Sequence, residues 1–274
     1  MKTNNQIIFY LLILISILSC EKDRDENTES TETPQLYSYH FRNMNFPDGV
    51  LASGNGLITI DYDNKGRPIK RNNGLVRLPQ ASGFDFAFSS DVYDDLVYTN
   101  DDVAIKEKSY SYPQLLSTTR HFKFENKKIV RRVNVGSNNI PVDTINYFYT
   151  HNKLSKAIRN YKKPTSETLY HYNSKGNLDS IVTRDLVYNS ANQSYGYSPY
   201  YPKMRTVEIF KDYDNSENPT KNLMIFDDVF NRSLSENNYR HYEKKSYNYF
   251  GQASTVAIRT WEFAYNDGKI DFSK

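Results

Sequence analysis

Hydrophobic and polar residues alternate with a period of two along most of this chain. Runs such as Ile58–Tyr62 and Tyr170–Tyr172 carry an aromatic or β-branched residue at every second position. Because successive side chains of a strand point to opposite faces, this alternation predicts β-strands with one buried face. Segments with the 3.6-residue period of a helix are rare, so the sequence predicts a mainly β protein.

Each alternating run ends in a short stretch of Asn, Asp, Lys or Gly, usually followed by an aliphatic residue. Asn, Asp and Gly tolerate the positive φ of tight turns, so each unit predicts a β-hairpin. A single hairpin is marginally stable in water, and successive hairpins must therefore pair. We predict an antiparallel meander of successive hairpins that forms one long curved sheet. The repeated units begin at Ile58, Phe122, Tyr147, Tyr170, Ile209, Tyr247 and Phe263.

The tyrosines at the ends of these hairpins are predicted to be structural. Aromatic residues pack well on a pleated, half-buried surface, and a tyrosine ring can pack while its hydroxyl reaches water. We therefore expect these rings to be largely buried on the same side of a continuous sheet. They are Tyr62, Tyr149, Tyr172, Tyr213 and Tyr265.

One segment departs from the strand pattern. Its apolar residues are spaced three or four positions apart and fall on one helical face, which predicts a short helix near residues 221–235, packed on the sheet. Thr220 is a candidate N-cap, and Asn237 and Asn238 are candidates for its end. The apolar residues of this face are Leu223, Phe226, Phe230 and Leu234.

The first 19 residues have the layout of a secretory signal peptide. Lys2 supplies a positive charge, the apolar run Ile7–Leu18 is too short to span a membrane, and Ser19 is small. Cys20, the single cysteine, follows directly, which predicts a bacterial lipoprotein with lipid on Cys20. Leu18 departs from the small residue usual at its position, and the alternative is an ordinary cleaved signal with a free thiol at Cys20.

Residues 20–35 predict a disordered acidic tether, because they contain no large apolar residue. Two interpretations of its charge stay open. It is a solvated spacer, or it resembles the acidic export signal of lipoproteins on the outer surface of some Gram-negative bacteria. The remaining residues, 36–274, are predicted to form a single β-rich domain.

Composition adds a marked excess of tyrosine and little net charge. The chain has 24 Tyr and 15 Phe but one Trp, and its net charge is +3. Paired basic residues such as Lys127–Lys128 and Arg131–Arg132 lie between strand-like runs, so we interpret them as solvent-facing and expect no nucleic-acid partner.

No metal, cofactor or catalytic motif is complete in the sequence. Asp61, Asp63 and Gly66 match three positions of an EF-hand loop, but Lys65 and Asn72 occupy ligand positions, so a turn is favoured. The acidic run from Asp91 to Asp102 is interpreted as a solvated loop. The histidines lack ligand spacing. We therefore expect no metal, no cofactor and no enzymatic activity.

The stretch from Tyr195 to Tyr201 supplies the candidate ligand contacts. Pro199 and Pro202 exclude an inner strand, and exposed tyrosines can stack on sugar rings or contact a protein. The alternative is a long loop folded over the sheet edge. The candidate residues are Tyr195, Tyr197, Tyr200 and Tyr201.

Two turn sequences, Tyr62–Arg67 and Tyr172–Leu178, resemble the YD repeat of Rhs-type proteins. Over most of residues 58–274 the chain is similar to uncharacterised bacterial surface lipoproteins with YD-like hairpins. A second shared stretch runs from Tyr213 to Leu223 and continues at Ser235–Asn238. The resemblance implies a fold and a location in the envelope, but no functional residue.

These observations predict a lipid-anchored protein of the outer membrane, with the cell exterior as a candidate side. Its membrane partner would be reached through lipid on Cys20. We predict a non-catalytic binding or display role, with a glycan or an outer-membrane protein as candidate partner. The alternative is a glycan-binding lipoprotein of an outer-membrane nutrient import system.

Overall fold

The computed structural model describes residues 35–44, 50–51, 55–78, 86–112, 118–136 and 140–274. The predicted signal peptide (1–19), Cys20 and the predicted tether up to residue 34 lie outside the described residues. Within the described ranges, no helix is both long and apolar enough to cross a membrane.

Strands dominate the described secondary structure, with two 3₁₀ turns (Phe41–Asn43 and Lys221–Leu223) and one short α-helix, α1 (Asp227–Ser233). The strands are β1 (Ser38–His40), β2 (Val50–Leu51), β3 (Leu57–Tyr62), β4 (Pro68–Arg77), β5 (Phe86–Tyr98), β6 (Asp102–Ser109), β7 (Thr119–Glu125), β8 (Lys128–Val135), β9 (Pro141–Thr150), β10 (Lys153–Tyr161), β11 (Lys163–Tyr172), β12 (Leu178–Asn189), β13 (Ser194–Tyr197), β14 (Arg205–Tyr213), β15 (Tyr239–Tyr247), β16 (Ala253–Thr260), β17 (Ala264–Asn266) and β18 (Lys269–Asp271).

In the described part of the chain, 16 strands form a single sheet. Strands β3 to β12 pair in sequence order, and β12 then pairs with both β13 and β14, which leads on to β15 and β16. All pairs are antiparallel except β2 with β5. The sheet is open, and its path ends at β1 and β16. The predicted meander of hairpins is confirmed, with β17 and β18 as a separate hairpin.

Contacts of α1 show that the sheet curves. Asp228 accepts hydrogen bonds from Tyr39 on β1 and Arg71 on β4, each 2.7 Å long, and Asn231 donates to Glu208 on β14 at 3.3 Å. In a flat sheet β1 and β14 would lie about 50 Å apart, at roughly 4.8 Å per strand. A seven-residue helix is about 10 Å long, so the sheet must curve around it.

The predicted helix is confirmed as a 3₁₀ turn followed by α1. Leu223 and Phe226 are buried, while Phe230 and Leu234 pack partly buried against the core. Two details differ from the prediction. The hydroxyl of Thr220 donates to the side-chain oxygen of Asn218 at 2.7 Å and does not cap the helix. The helix also ends at Ser233, before the two asparagines.

Three tight turns of the sheet share one hydrogen-bond pattern. The side-chain oxygen of the first residue accepts from the backbone N–H groups two and four positions later, at 2.9 to 3.1 Å. A glycine with positive φ occupies the fourth position. The Asp63 carboxylate is thus part of a turn, as the sequence predicts. These turns begin at Asp63, Asn173 and Asn248.

Tyrosines at the ends of hairpins form hydrogen bonds to neighbouring strands, all at the same end of the sheet. Tyr62, Tyr98 and Tyr149 donate their hydroxyls to backbone carbonyls near the beginning of a neighbouring strand, at 2.8 to 2.9 Å. Tyr213 donates in the same way to Leu178. Tyr62, Tyr149, Tyr172 and Tyr213 are half-buried against the core. The prediction is wrong for Tyr265, which is 45% exposed on β17, outside the main sheet.

The two ends of the sheet differ, because an antiparallel meander places every second connection at the same end. At the turn end, tight turns follow β3, β5, β7, β9 and β11, and the helical connection after β14 is the exception. At the loop end lie the connections after β4, β6, β8, β10, β12, β13 and β15. Gln35 belongs to the turn end, because its side-chain amide donates to the Gly66 carbonyl at 3.4 Å.

Candidate functional site: an aromatic cleft

A cleft opens at the loop end where β12 changes its pairing partner. Residues 180–183 of β12 pair with β14, whereas residues 186–189 pair with β13. The loop 198–204 joins β13 to β14, and most of its residues line the gap. The resulting cleft measures about 820 Å³, which is in the usual range for ligand sites. We refer to it as the aromatic cleft.

Three of the four candidate tyrosines line this cleft. Tyr197 lies on β13, and Tyr200 and Tyr201 lie in the loop that follows. Tyr200 is 85% exposed and Tyr201 is 52% exposed. The stretch forms the short strand β13 beside the last residues of β12, followed by a loop that contains both prolines. These rings are therefore accessible to a ligand and are not part of the core.

Tyr195 has a different environment from the other three. Its ring packs against Tyr188 with centroids 5.2 Å apart, and it does not line the cleft. Tyr195 thus supports Tyr188, which does line it.

Two further tyrosines line the cleft, although their sequence pattern does not indicate a site. Tyr188 and Tyr247 line the cleft from the ends of β12 and β15, where they look like ordinary strand residues in the sequence. Tyr249 lies beside the cleft and packs edge-to-face on Tyr201 at 6.3 Å. An exposed Tyr-Phe pair at positions 249 and 250, inside a turn, is the signal that could have drawn attention to this region.

Two arginines stand on tyrosine rings in the cleft. The Arg184 guanidinium lies 4.7 Å from the Tyr197 ring centroid, and the Arg205 guanidinium lies 3.9 Å from that of Tyr247. Arg205 also donates from Nη1 to the Lys203 carbonyl at 3.1 Å. Cation–π attraction of this kind stabilises both guanidinium groups beside the tyrosines of the cleft.

The hydroxyl of Tyr197 stays protonated. It donates to the Glu167 carboxylate, and burial together with this neighbouring negative charge raises the pKa of Tyr197. The ring is thereby fixed in place, with its face under Arg184.

A second cleft, of about 650 Å³, lies between α1 and the inner face of the sheet. Arg71 contacts Asp94 and Asp228, at 2.7 Å each. Arg120 contacts Asp94 at 3.0 Å and Asp227 at 3.2 Å. We refer to this network, with Arg132 paired to Asp227, as the inner ion network. Because each arginine has a carboxylate partner, the network fixes α1 to the sheet.

The inner ion network corrects two sequence interpretations. The acidic run was expected to be a solvated loop, but Asp94 lies on β5 and is 2% exposed. Arg132 was expected to face solvent, but its side chain is 13% exposed and paired. In both cases a partner far away in sequence compensates the inward charge.

Two further carboxyl groups line the inner cleft. Burial raises the pKa of Glu107 and that of Glu208. Glu208 accepts hydrogen bonds from Tyr242 at 3.1 Å and Asn231 at 3.3 Å, so it joins α1 to β14 and β15. Among the described residues, no group of three or more His, Cys, Asp or Glu side chains is placed to hold a metal ion.

Comparison with known proteins gives structural resemblances at low identity. No family model matches the chain, and no curated protein matches it. A porin-like protein from Bacteroides uniformis is 10% identical, with 78% of this chain and 80% of that chain covered and a TM-score of 0.45. A porin-like protein from Bacteroides vulgatus is 12% identical, with 78% of this chain and 84% of that chain covered and a TM-score of 0.42. A protein of unknown function from Bacteroides fragilis is 14% identical, with 53% of this chain and 92% of that chain covered and a TM-score of 0.30.

These similarities assign no function and no site residue. The resemblance to YD-repeat proteins stays a prediction.

Proposed function

We propose that this protein is a non-catalytic binding protein of the cell envelope that holds a glycan in the aromatic cleft. The observation that supports this function is the gathering of exposed tyrosines in a cleft of ligand size. Tyrosine offers a flat face for a sugar ring and a hydroxyl for hydrogen bonding, and it loses little conformational entropy on binding. Loops carry these rings while the sheet provides stability.

The composition of the cleft supports binding without hydrolysis. Glycoside hydrolysis uses a pair of carboxyl groups on either side of the scissile bond. Among the described residues that line the aromatic cleft, Asp185 is the one carboxylate. The remaining polar groups are hydroxyls, amides and guanidinium groups, which suit recognition.

Gln35, the first described residue, lies at the end of the sheet opposite the cleft. Gln35 lies at the turn end, and β12 runs about 40 Å from there to the loop end, at roughly 3.3 Å per residue. A cleft at the loop end suits a protein that captures a ligand, including one that delivers a glycan to an import system.

Glycan binding can be tested with the full-length chain in detergent on a glycan array, followed by calorimetry on the best ligand. The double variant Tyr200→Ala/Tyr201→Ala should bind about tenfold more weakly or worse, because each lost ring contact contributes about 0.5–1.5 kcal/mol. Its thermal unfolding should match the native protein, since both rings are exposed. The matched control is Tyr161→Ala, which removes an exposed tyrosine at the loop end but outside the cleft.

Two results would contradict the glycan proposal. One is a native protein that binds no glycan on the array. The other is a double variant whose affinity equals that of the native protein and of the Tyr161→Ala control.

The anchor has its own test, in bacterial cells that express the full chain. The native protein should incorporate a labelled fatty acid and fractionate with membranes, while Cys20→Ser should do neither, because the thiol is the acylation point. Ser30→Ala in the tether is the control for a neutral change. If Cys20→Ser still fractionates with membranes and the native protein takes up no label, the lipoprotein hypothesis is wrong.

A further inference from the structure

We infer that the glycan held in the aromatic cleft is anionic and carries a carboxylate or a sulfate group. This inference rests on the proposed function and names the class of its ligand. It is carried by Arg184 and Arg205, which both line the cleft.

Arg184 approaches the cleft from β12, opposite Glu167 on β11, whose carboxylate accepts a hydrogen bond from the hydroxyl of Tyr197. Its guanidinium lies over Tyr197, its Nε is buried without a hydrogen-bond partner, and within the described residues it forms no ion pair. A guanidinium that is partly desolvated and has no carboxylate within ion-pair distance among the described residues favours an anion, because charges interact more strongly in a site that excludes water.

Arg205 approaches from the beginning of β14, on the side of Tyr247. One of its nitrogens is occupied by the Lys203 carbonyl, and within the described part of the chain no carboxylate pairs with it. Arginine carries its N–H donors in a planar fork, which can donate two parallel hydrogen bonds to a carboxylate or a sulfate-like anion.

The charge balance of the cleft supports the same conclusion. Glu167, near the cleft, already accepts from Tyr197 and lies 3.8 Å from Lys156. Among the described residues that line the cleft, the charged side chains are therefore one carboxylate, Asp185, and two arginines. The inner ion network is the internal contrast, because there every arginine contacts one or two aspartates.

The experiment uses a panel of uronate-containing and sulfated polysaccharides, each paired with its carboxyl-reduced or desulfated form. The native full-length chain should bind at least one acidic member ten- to a hundredfold more tightly than its neutral partner. That range is what one or two charge-assisted hydrogen bonds contribute. The paired forms also separate the two anion sources, since the reduced pairs report on carboxylate and the desulfated pairs on sulfate.

Arginine variants then locate the effect. Arg184→Gln and Arg205→Gln should each lower affinity for the acidic glycan about tenfold or more and affinity for the neutral form by much less, so that the ratio of the two affinities falls. Arg131→Gln removes the same charge from an exposed position on β8 and should change neither affinity. Arg184→Lys keeps the charge but loses the planar fork, so it should restore only part of the preference.

Each outcome decides between the two claims. If the native protein binds the neutral members as tightly as their acidic partners, the anionic ligand is wrong while the glycan proposal stands. If no member of the panel binds, the proposed function fails and the inference fails with it. If the acidic preference survives in both Gln variants that retain native circular dichroism, the arginines do not recognise the anion.

Discussion

The substitution Asp94→Asn tests whether the inner ion network stabilises the fold. Asp94 has a side chain that is 3% exposed, and its carboxylate contacts Arg71 at 2.7 Å and Arg120 at 3.0 Å. Asparagine preserves the shape of the side chain but removes its charge. The change therefore leaves two buried guanidinium groups facing a neutral amide.

The expected cost follows from the energetics of buried ion pairs. Removing one partner of a buried pair typically costs about 3–5 kcal/mol, because the remaining charge is buried without compensation. Arg71 keeps Asp228 and Arg120 keeps Asp227, so we expect a loss near the lower limit, about 3 kcal/mol. For a domain of this size that corresponds to a decrease in Tm of roughly 6–12 °C.

The chain supplies a matched control in the next residue. Asp95 points to the opposite face of β5 and pairs with Lys108, with side chains 34% and 37% exposed. Exposed pairs contribute about 0–1 kcal/mol, so Asp95→Asn should lower Tm by less than about 4 °C. Urea and thermal unfolding of both variants provide the comparison. Equal losses in the two variants would refute the conclusion that the inner network holds α1 to the sheet.

Three further predictions concern the turns and the network. Tyr149→Phe removes the hydroxyl that donates to the Ile129 carbonyl at 2.9 Å and should cost about 1 kcal/mol in urea unfolding; an unchanged midpoint would contradict the bracing role. Gly176→Ala should destabilise by more than about 1 kcal/mol, because φ is +84° there and side chains crowd the added carbon. The control Gly196→Ala, with open space around it, should be neutral. Burial alone would raise the pKa of Asp227, but the Arg132 and Arg120 guanidinium groups outweigh it and lower that pKa to about 2. The ionised form of Asp227 therefore stabilises the fold above pH 4, and this contribution should disappear as the pH falls toward 2. The free energy of unfolding of Asp227→Asn should lack that part of the pH dependence. If the native protein and the variant lose the same stability between pH 4 and pH 2, the role of Asp227 is refuted.

Periodicity predicted the strands, the turns and the helix because these features depend on near neighbours in sequence. The turn at Asn173 is an example, since its side chain bonds only to N–H groups within four residues. The burial of Asp94 is different in kind. It occupies the inward position between Val92 and Leu96, which are 5% and 6% exposed. The alternation of the strand therefore directs the side chain of residue 94 inward. The arginine partners of Asp94 come from other strands, so they could not be inferred from the sequence.

The candidate site divides in the same way. The proline-flanked tyrosines from 197 to 201 stood out locally, and the structure places them in the cleft. Tyr188 and Tyr247 reach it from strands whose proximity depends on how β12 divides its pairing between β13 and β14. No short-range pattern encodes that division. The two arginines were missed for the same reason, since a guanidinium gains significance only from the ring beneath it and the carboxylates around it.

The protein uses arginine in two opposite ways, and the difference assigns a role to each group. On the inner face, Arg71 lies between two aspartates at 2.7 Å, so its charge is neutralised within the fold and contributes to stability. At the loop end, Arg184 lies over a tyrosine ring, and among the described residues no carboxylate forms an ion pair with it. Evolution toward stability alone would favour the first arrangement, because an unpaired, partly buried charge costs free energy. A ligand that supplies the missing anion recovers that cost on binding, which is why the cleft, and not the larger set of charges under α1, is the place to look for a partner.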